Sequence, residues 1–275
     1  MTGRRVVGTL VESARDDDRP RTVLVSDLHI PEDGGRAKDM FFDLLSAIED
    51  PAEARLIVLG DLFDFYTGPK QNAVGVWREV AQALSAAVER GLSVTVLHGN
   101  RDFMLDGAFA ERGRCRVVAG GLQIALDGQP CLLLHGDELC QRDLPYQRAK
   151  RLLRHPLTRA LLRNLPLSVS TRLAARARDR SATVIASGDQ TRFDPTADAM
   201  LEVFRDPVAS VVFGHIHRPA RGRFVAAEGS DAGGEYAILP AFDETGVYLQ
   251  HLDGALRYRH VADGDLEDYP ARDFR

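Results

Sequence analysis

Five short apolar runs along this 275-residue chain each end in a cluster of aspartate, asparagine or histidine. TVLVS leads into Asp27-Leu28-His29, RLIVL into Gly60-Asp61, and SVTVLH into Gly99-Asn100-Arg101-Asp102. CLLL leads into His135-Gly136-Asp137, and SVVF into Gly214-His215-Ile216-His217. Runs this short and this rich in Val, Ile and Leu suit strands buried on both faces. Their ends can bring Asp27, His29, Asp61, Asn100, His135, His215 and His217 to one edge of a sheet. Oxygen and imidazole donors without thiolate suit two borderline divalent cations better than one zinc ion. Asp61 can bridge them, and positions stay open for water and substrate. Any one of these motifs alone is weak, and a lone histidine is more often a satisfied loop or core residue. The order of all five together is what points to a dinuclear centre.

The segments between the motifs read as helices and further strands. Met40, Phe41, Leu44, Leu45 and Ile48 recur at helical spacing and predict a helix over 37–49 with its apolar face in the core. A second helix is predicted over 74–90, stopped by Gly91. An early strand is expected from Val6 to Val11, and a hairpin turn at Asp127-Gly128 before CLLL. Residues 200–213 read as a helix and a strand. YAILP, GVYLQHL and ALRYRHV are expected to form antiparallel strands before an acidic, frayed tail. The alternation argues for a layered α/β fold.

The length suits one large α/β domain with an insertion. With 44% hydrophobic and 27% charged residues the chain can bury a full core, and no apolar run approaches a membrane span. The first twenty residues lack the uninterrupted apolar stretch of a secretory signal. Cys115, Cys131 and Cys140 show no C-x-x-C spacing and read as reduced thiols.

The net charge of −5 conceals an asymmetry. Residues 141–192 hold eleven arginines and one lysine against three aspartates, so the rest of the chain is strongly acidic. Within this block, residues 145–180 read as short helices broken at Pro156 and Pro166. A stripe of Leu152, Leu153, Leu157, Leu161 and Leu162 is flanked by Arg148, Lys150, Arg151, Arg154, Arg159 and Arg163. The residues fit a solvated helical hairpin packed on the core as well as an amphipathic lid facing acyl chains or an anionic membrane. The interleaved residues are leucines rather than stacking aromatics, which argues against nucleic acid.

Over roughly residues 22–220 the order of the five motifs resembles the calcineurin-like metallophosphoesterases. The resemblance implies an α/β four-layer sandwich, two packed sheets flanked by helices. The whole of 1–275 would be one such domain, with 145–180 inserted in it as a helical lid. It implies that Asp27, His29, Asp61 and His217 hold one metal ion and Asp61, Asn100, His135 and His215 the other. Asp102 and Asp137 would orient backbone or ligand histidines, a purely structural loop role being the alternative.

One residue narrows the substrate class. Many members of the resembled family carry histidine after the asparagine, placed to protonate an alkoxide leaving group; this chain has Arg101. Arginine cannot give up a proton near neutral pH but can grip phosphate through a planar fork. A phosphate leaving from a phosphoanhydride needs little protonation. The alternative role for Arg101 is an ion pair with Asp102. GNRDF, HGDELCQRDLPYQ, RNLPLSVSTRLAARARDRS and FGHIHRPA together resemble the branch that hydrolyses UDP-2,3-diacylglucosamine to UMP and 2,3-diacylglucosamine 1-phosphate (lipid X) in lipid A synthesis. Those enzymes usually use manganese and work at the cytoplasmic face of the inner membrane. The resemblance implies Asn100, Arg101 and His215 as catalytic residues. With them Asp143, Tyr146, Arg178 and Ser181 would bind substrate. The chain departs from the branch after Asp64, where Phe65-Tyr66-Thr67-Gly68-Pro69 stands, and at Ile185 and Gly188, where polar and basic lid residues are expected. The other readings are a phosphoesterase acting on cyclic nucleotides or nucleic acid, and a non-catalytic interaction module. The intact set of seven donors argues against the last.

Overall fold

In the central strands both faces are apolar, and successive side chains go to different layers. The computed structural model describes residues 4–14, 19–173, 175–176, 190–205, 208–226, 233–272 and 274. One sheet is built from β3 (Arg21–Val25), β4 (Ala54–Val58), β5 (Ser93–Leu97), β6 (Arg116–Val118), β12 (Val247–Leu252), β13 (Ala255–His260) and β14 (Gly264–Asp265), in the order β14-β13-β12-β3-β4-β5-β6. The other contains β1 (Arg4–Val6), β2 (Thr9–Ser13), β7 (Gly121–Leu126), β8 (Gln129–Leu134), β9 (Ser210–Phe213), β10 (Ala220–Val225) and β11 (Gly233–Ile238), in the order β1-β2-β7-β8-β9-β11-β10.

Val23, Val25, Leu56, Val58, Val94 and Val96 pack with Phe41, Leu44 and Leu45 of helix α1 (Gly35–Ala47) and Trp77, Val80 and Leu84 of α2 (Gly75–Glu89). Leu24, Ile57 and Leu97 face the other way, against Leu122, Ile124, Cys131, Leu133, Val212 and Ala237 of the second sheet. On the far side of that sheet, Leu132, Leu134, Val211, Phe213 and Ile238 cover Ala199, Met200 and Val203 of helix Ala197–Val203. The layers therefore run helix, sheet, sheet, helix, as the family resemblance implies. Strands β3, β4 and β5 are mutually parallel, as are β8 and β9, so the five motif loops emerge at one end of the sandwich.

Three expectations need correction. The early strand is a hairpin, because Val7 (φ 48) and Gly8 (φ 73) turn the chain between β1 and β2. YAILP falls in β11, which runs parallel to β9 and antiparallel only to β10, a strand the sequence reading did not anticipate. The tail is docked: Phe274 meets Phe224 and Tyr236, Arg272 pairs with Asp194 at 2.6 Å, and Arg221 holds Asp268 at 2.9 Å. Aromatic and ionic anchors supply what its acidic composition conceals. The expected Asp127-Gly128 turn is present, with both residues at positive φ between paired Leu126 and Gln129.

After the short helix α3 (Gly107–Gly113), the basic segment begins with α4 (Leu144–Leu153) and α5 (Pro156–Asn164), and residues 167–173 are helical. The breaks at Pro156 and Pro166 fall where expected, since proline starts a helix readily but cannot continue one. Lys150 pairs with Asp137 at 2.7 Å, Arg154 donates to the Gly99 carbonyl at 3.0 Å, and Arg163 pairs with Asp106 at 3.0 Å. Leu162 packs on the core, whereas Leu152, Leu157 and Leu161 are 68%, 76% and 64% exposed. No helix among the described residues is long and apolar enough to cross a membrane.

Candidate metal centre

Five of the seven expected donors sit in left-handed backbone conformations: Asp27 (φ 55), His29 (φ 41), Asp61 (φ 52), His215 (φ 70) and His217 (φ 52). Each such residue costs about 1–3 kcal/mol, so surrounding bonds must impose it. The amides of Leu28 and His29 donate to the Asp61 carbonyl at 2.9 Å each, and Ile30 donates to the Leu62 carbonyl at 3.1 Å. Gly214 donates to the His135 carbonyl at 2.9 Å. Loop thus braces loop, and the strain turns the donors toward one another. Gly60 (φ 93) lies where a Cβ would come within 2.7 Å of both the Gly99 backbone and the His135 ring, so the second, third and fourth loops can close only without a side chain there.

The structure brings all seven donors together. Donor atoms of Asp27, His29 and His217 lie within 4.8 Å of one another, as do those of Asp27, Asp61 and His135. His29 Nε2 is 3.2 Å from the Asp61 carboxylate, and His217 Nε2 is 3.4 Å from that of Asp27. The Asn100 Oδ1 atom stands 2.8 Å from His135 Nε2 and 3.1 Å from His215 Nδ1. A divalent pair fits on two further counts. The Asp27 Oδ1 atom is buried with no hydrogen-bond partner, a costly state for a carboxylate oxygen unless a cation claims it. Each central imidazole also has its other nitrogen occupied: His29 Nδ1 donates to Asp243 at 3.1 Å, and His135 Nδ1 donates to the Leu59 carbonyl at 2.8 Å. This fixes the tautomer that leaves Nε2 for a ligand.

The electrostatics point the same way. Burial disfavours charge on Asp27, yet His217, 3.4 Å away, and the nearby imidazoles hold it below the ordinary carboxylate range. Asp61, also opposed by burial, is brought down to about 2 by His135 and His29. His29 is raised to about 10, because the Asp243 and Asp61 carboxylates outweigh its burial. His215 goes down to about 4 through burial and the charge of His135, which keeps its ring neutral and fit to ligate. Protons are drawn into a pocket of buried negative charge that a cation would neutralise better.

The flanking aspartates divide. Asp102 accepts the amides of Leu62 and Gly99 at 2.8 Å each, tying the second and third loops together. Asp137 instead receives the Tyr146 hydroxyl and Lys150, anchoring α4. Asp102 is therefore not the partner of Arg101, whose guanidinium rests on Asp64 at 2.6 Å with Nε 3.5 Å from Asp61. Tyr146 lies beside the centre, its ring 6.2 Å from that of His215. Asp143 caps α4, accepting the Tyr146 amide at 3.4 Å. Arg178, Ser181, Ile185 and Gly188 lie outside the described residues. The sequence reading missed Asp243, Asp64 as a partner, and Lys150 as an anchor. A buried histidine ligand demands an acceptor on its second nitrogen, but nothing in AFDETG marks which residue supplies it.

Comparison with known proteins agrees with this geometry. The calcineurin-like phosphoesterase family pattern matches residues 20–219. A UDP-2,3-diacylglucosamine hydrolase of Stutzerimonas stutzeri (strain A1501) is 38% identical over 230 residues, covering 83% of this chain and 93% of that protein. Proteins of the same name from Pseudomonas syringae pv. tomato (35%, covering 83% and 90%) and Azotobacter vinelandii (36%, covering 72% and 82%) are also similar. The chain belongs to the calcineurin-like phosphoesterases, a family of metal-dependent hydrolases.

Proposed function

We propose that this calcineurin-like phosphoesterase hydrolyses the pyrophosphate bond of UDP-2,3-diacylglucosamine, giving UMP and 2,3-diacylglucosamine 1-phosphate (lipid X), a step of lipid A biosynthesis. The observation that carries the reading is Arg101. A permanently charged fork stands at the rim of the donor cluster, 3.5 Å from the Asp61 carboxylate, in the place where a proton donor would serve an alkoxide. A site with a phosphate grip and no acid at that position favours a leaving group that departs as a phosphate. The names of the relatives supply the same substrate independently.

Asp27, His29, Asp61 and His217 would hold one cation, and Asp61, Asn100, His135 and His215 the other, most simply Mn2+. When bound, such a pair supplies Lewis acidity and water of lowered pKa. The protein's own part is positional and electrostatic. The Asn100 side-chain amide, its oxygen 3.1 Å from His215 Nδ1, turns N–H donors to the attacked phosphate, and Arg101 stabilises charge gathering on its oxygens. Water adds to phosphorus, the anhydride P–O bond breaks, and the displaced phosphate leaves as an anion. Asp143, Tyr146, Arg178 and Ser181 would hold the sugar phosphate that departs.

The lid reading places α4 and α5 over the acylated sugar, with their exposed leucines and flanking arginines against acyl chains and the anionic cytoplasmic face of the inner membrane. A side-by-side assay of UDP-2,3-diacylglucosamine, cyclic nucleotides and DNA tests the substrate class. Preference for the UDP-sugar is expected; strong turnover of cyclic nucleotides or DNA alone would overturn it.

A further inference from the structure

We infer that Asp64 is a positioning residue for Arg101, an inference that rests on the phosphoryl-transfer reading of this site. Asp64 is almost fully buried, and its carboxylate contacts the guanidinium at 2.6 Å. The same guanidinium lies 3.5 Å from Asp61 on its Nε side, so two carboxylates three positions apart on one loop flank it. The loop carrying them is fixed independently of the ion pair: Asp64 donates its amide to the Ile30 carbonyl at 3.0 Å, and Leu62 donates to Asp102 at 2.8 Å. The Arg101 main chain is held as well, its amide donating to the Asp61 carboxylate at 2.9 Å and its carbonyl accepting from the Tyr66 amide at 3.2 Å. What remains free to swing is the Arg101 side chain, which is 29% exposed.

Asp61 is assigned to the cations, which would take up its charge and repel a guanidinium so close by. Asp64 is not among the clustered donors, and its carboxylate stays against Arg101 at 2.6 Å. It holds the side chain at the rim against that repulsion, with the remaining N–H groups of the fork left for phosphate oxygens. Substrate binding then does not have to order a long, solvated side chain.

The test is a double-mutant cycle of Asp64→Asn and Arg101→Ala on manganese-loaded protein, with UDP-2,3-diacylglucosamine and with bis-p-nitrophenyl phosphate. Manganese content, thermal unfolding and calorimetric binding of inorganic phosphate are followed in each variant. Asp64→Asn is expected to lower kcat/KM and phosphate affinity about tenfold or more, with manganese content unchanged, and to have no further effect once Arg101 is alanine. Asp64→Glu restores part of the loss. Equal losses from Asp64→Asn in the wild-type and Arg101→Ala backgrounds would overturn the inference, as would no loss at all. If Asp64→Asn does not fold, Asp64→Ser runs the same cycle. Failure of the wild type to release UMP while cleaving the generic diester sinks the substrate reading, and the cycle on the diester still decides the role of Asp64.

Discussion

Asp27 accepts the backbone amide of His215 at 2.8 Å, so one carboxylate joins the first motif to the last across 188 residues. Its second oxygen, buried without a hydrogen bond and 3.4 Å from His217 Nε2, is left for a cation. Asp61 does the corresponding work at the middle of the cluster: its carboxylate accepts the Arg101 amide at 2.9 Å, while its ties to the first loop run through its main chain. The amides of Leu28 and His29 are held by its carbonyl, not its carboxylate. Asp61→Ala is therefore expected to fold and to lose metal-dependent hydrolysis down to the level of metal-stripped protein. Thermal unfolding and phosphodiester turnover check the two halves; full activity in this variant would refute the dinuclear assignment.

Asp243 bears on His29 from the opposite side of the ring. Removing the acceptor frees the imidazole to rotate and lowers its basicity toward a cation. Asp243→Ala should weaken binding of at least one manganese ion about 10–100-fold. Calorimetric titration of the metal-free protein measures this, and an unchanged isotherm would show that Asp243 does not orient the ligand.

Proton release follows from the raised pKa of His29. Without a cation its ring holds a proton up to about pH 10, against 6.5 for an ordinary histidine. Because the folded value lies above the unfolded one, its stabilisation of the metal-free fold is complete below pH 6.5 and fades as pH rises through about 10. A cation must displace that proton, so manganese affinity should climb between neutrality and pH 10, by about tenfold per pH unit for each proton lost. Calorimetry in two buffers of different ionisation enthalpy should show at least one proton released per protein near pH 8; none released would contradict it.

The exposed leucines of α5 predict a membrane phenotype. Leu157 and Leu161 are among the most exposed large apolar side chains described, and Arg159 and Arg163 share their helix. Burying one leucine side chain is worth about 1.5–3 kcal/mol. Replacing both by serine should therefore weaken affinity for anionic vesicles, read by sedimentation, about a hundredfold or more, without lowering thermal stability. High salt should weaken wild-type binding. Vesicle binding unaffected by the substitutions would leave these helices as a solvated hairpin.

The sandwich was legible because strands such as TVLVS and RLIVL are apolar on both faces, which only a sheet between two layers can satisfy. The seven donors were legible because each follows such a strand directly, so strand order alone delivers them to one edge. Other features depend on contacts with no local signature. Asp243 reaches His29 across 214 residues. Arg101 would pair with its neighbour Asp102 on proximity alone, but two buried amides claim both oxygens of Asp102 and leave Asp64 as the counter-ion. The tail looked frayed because its composition is acidic, whereas Tyr236, Phe224, Arg221 and Asp194 hold it from elements far away in sequence.

The most direct test of the account is release of UMP and 2,3-diacylglucosamine 1-phosphate from UDP-2,3-diacylglucosamine by the purified protein. It is run with manganese, after chelation, and after manganese is restored. The account predicts equal amounts of both products, loss on chelation and recovery on restoration. Metal-loaded, folded protein that releases neither product would contradict the proposed reaction.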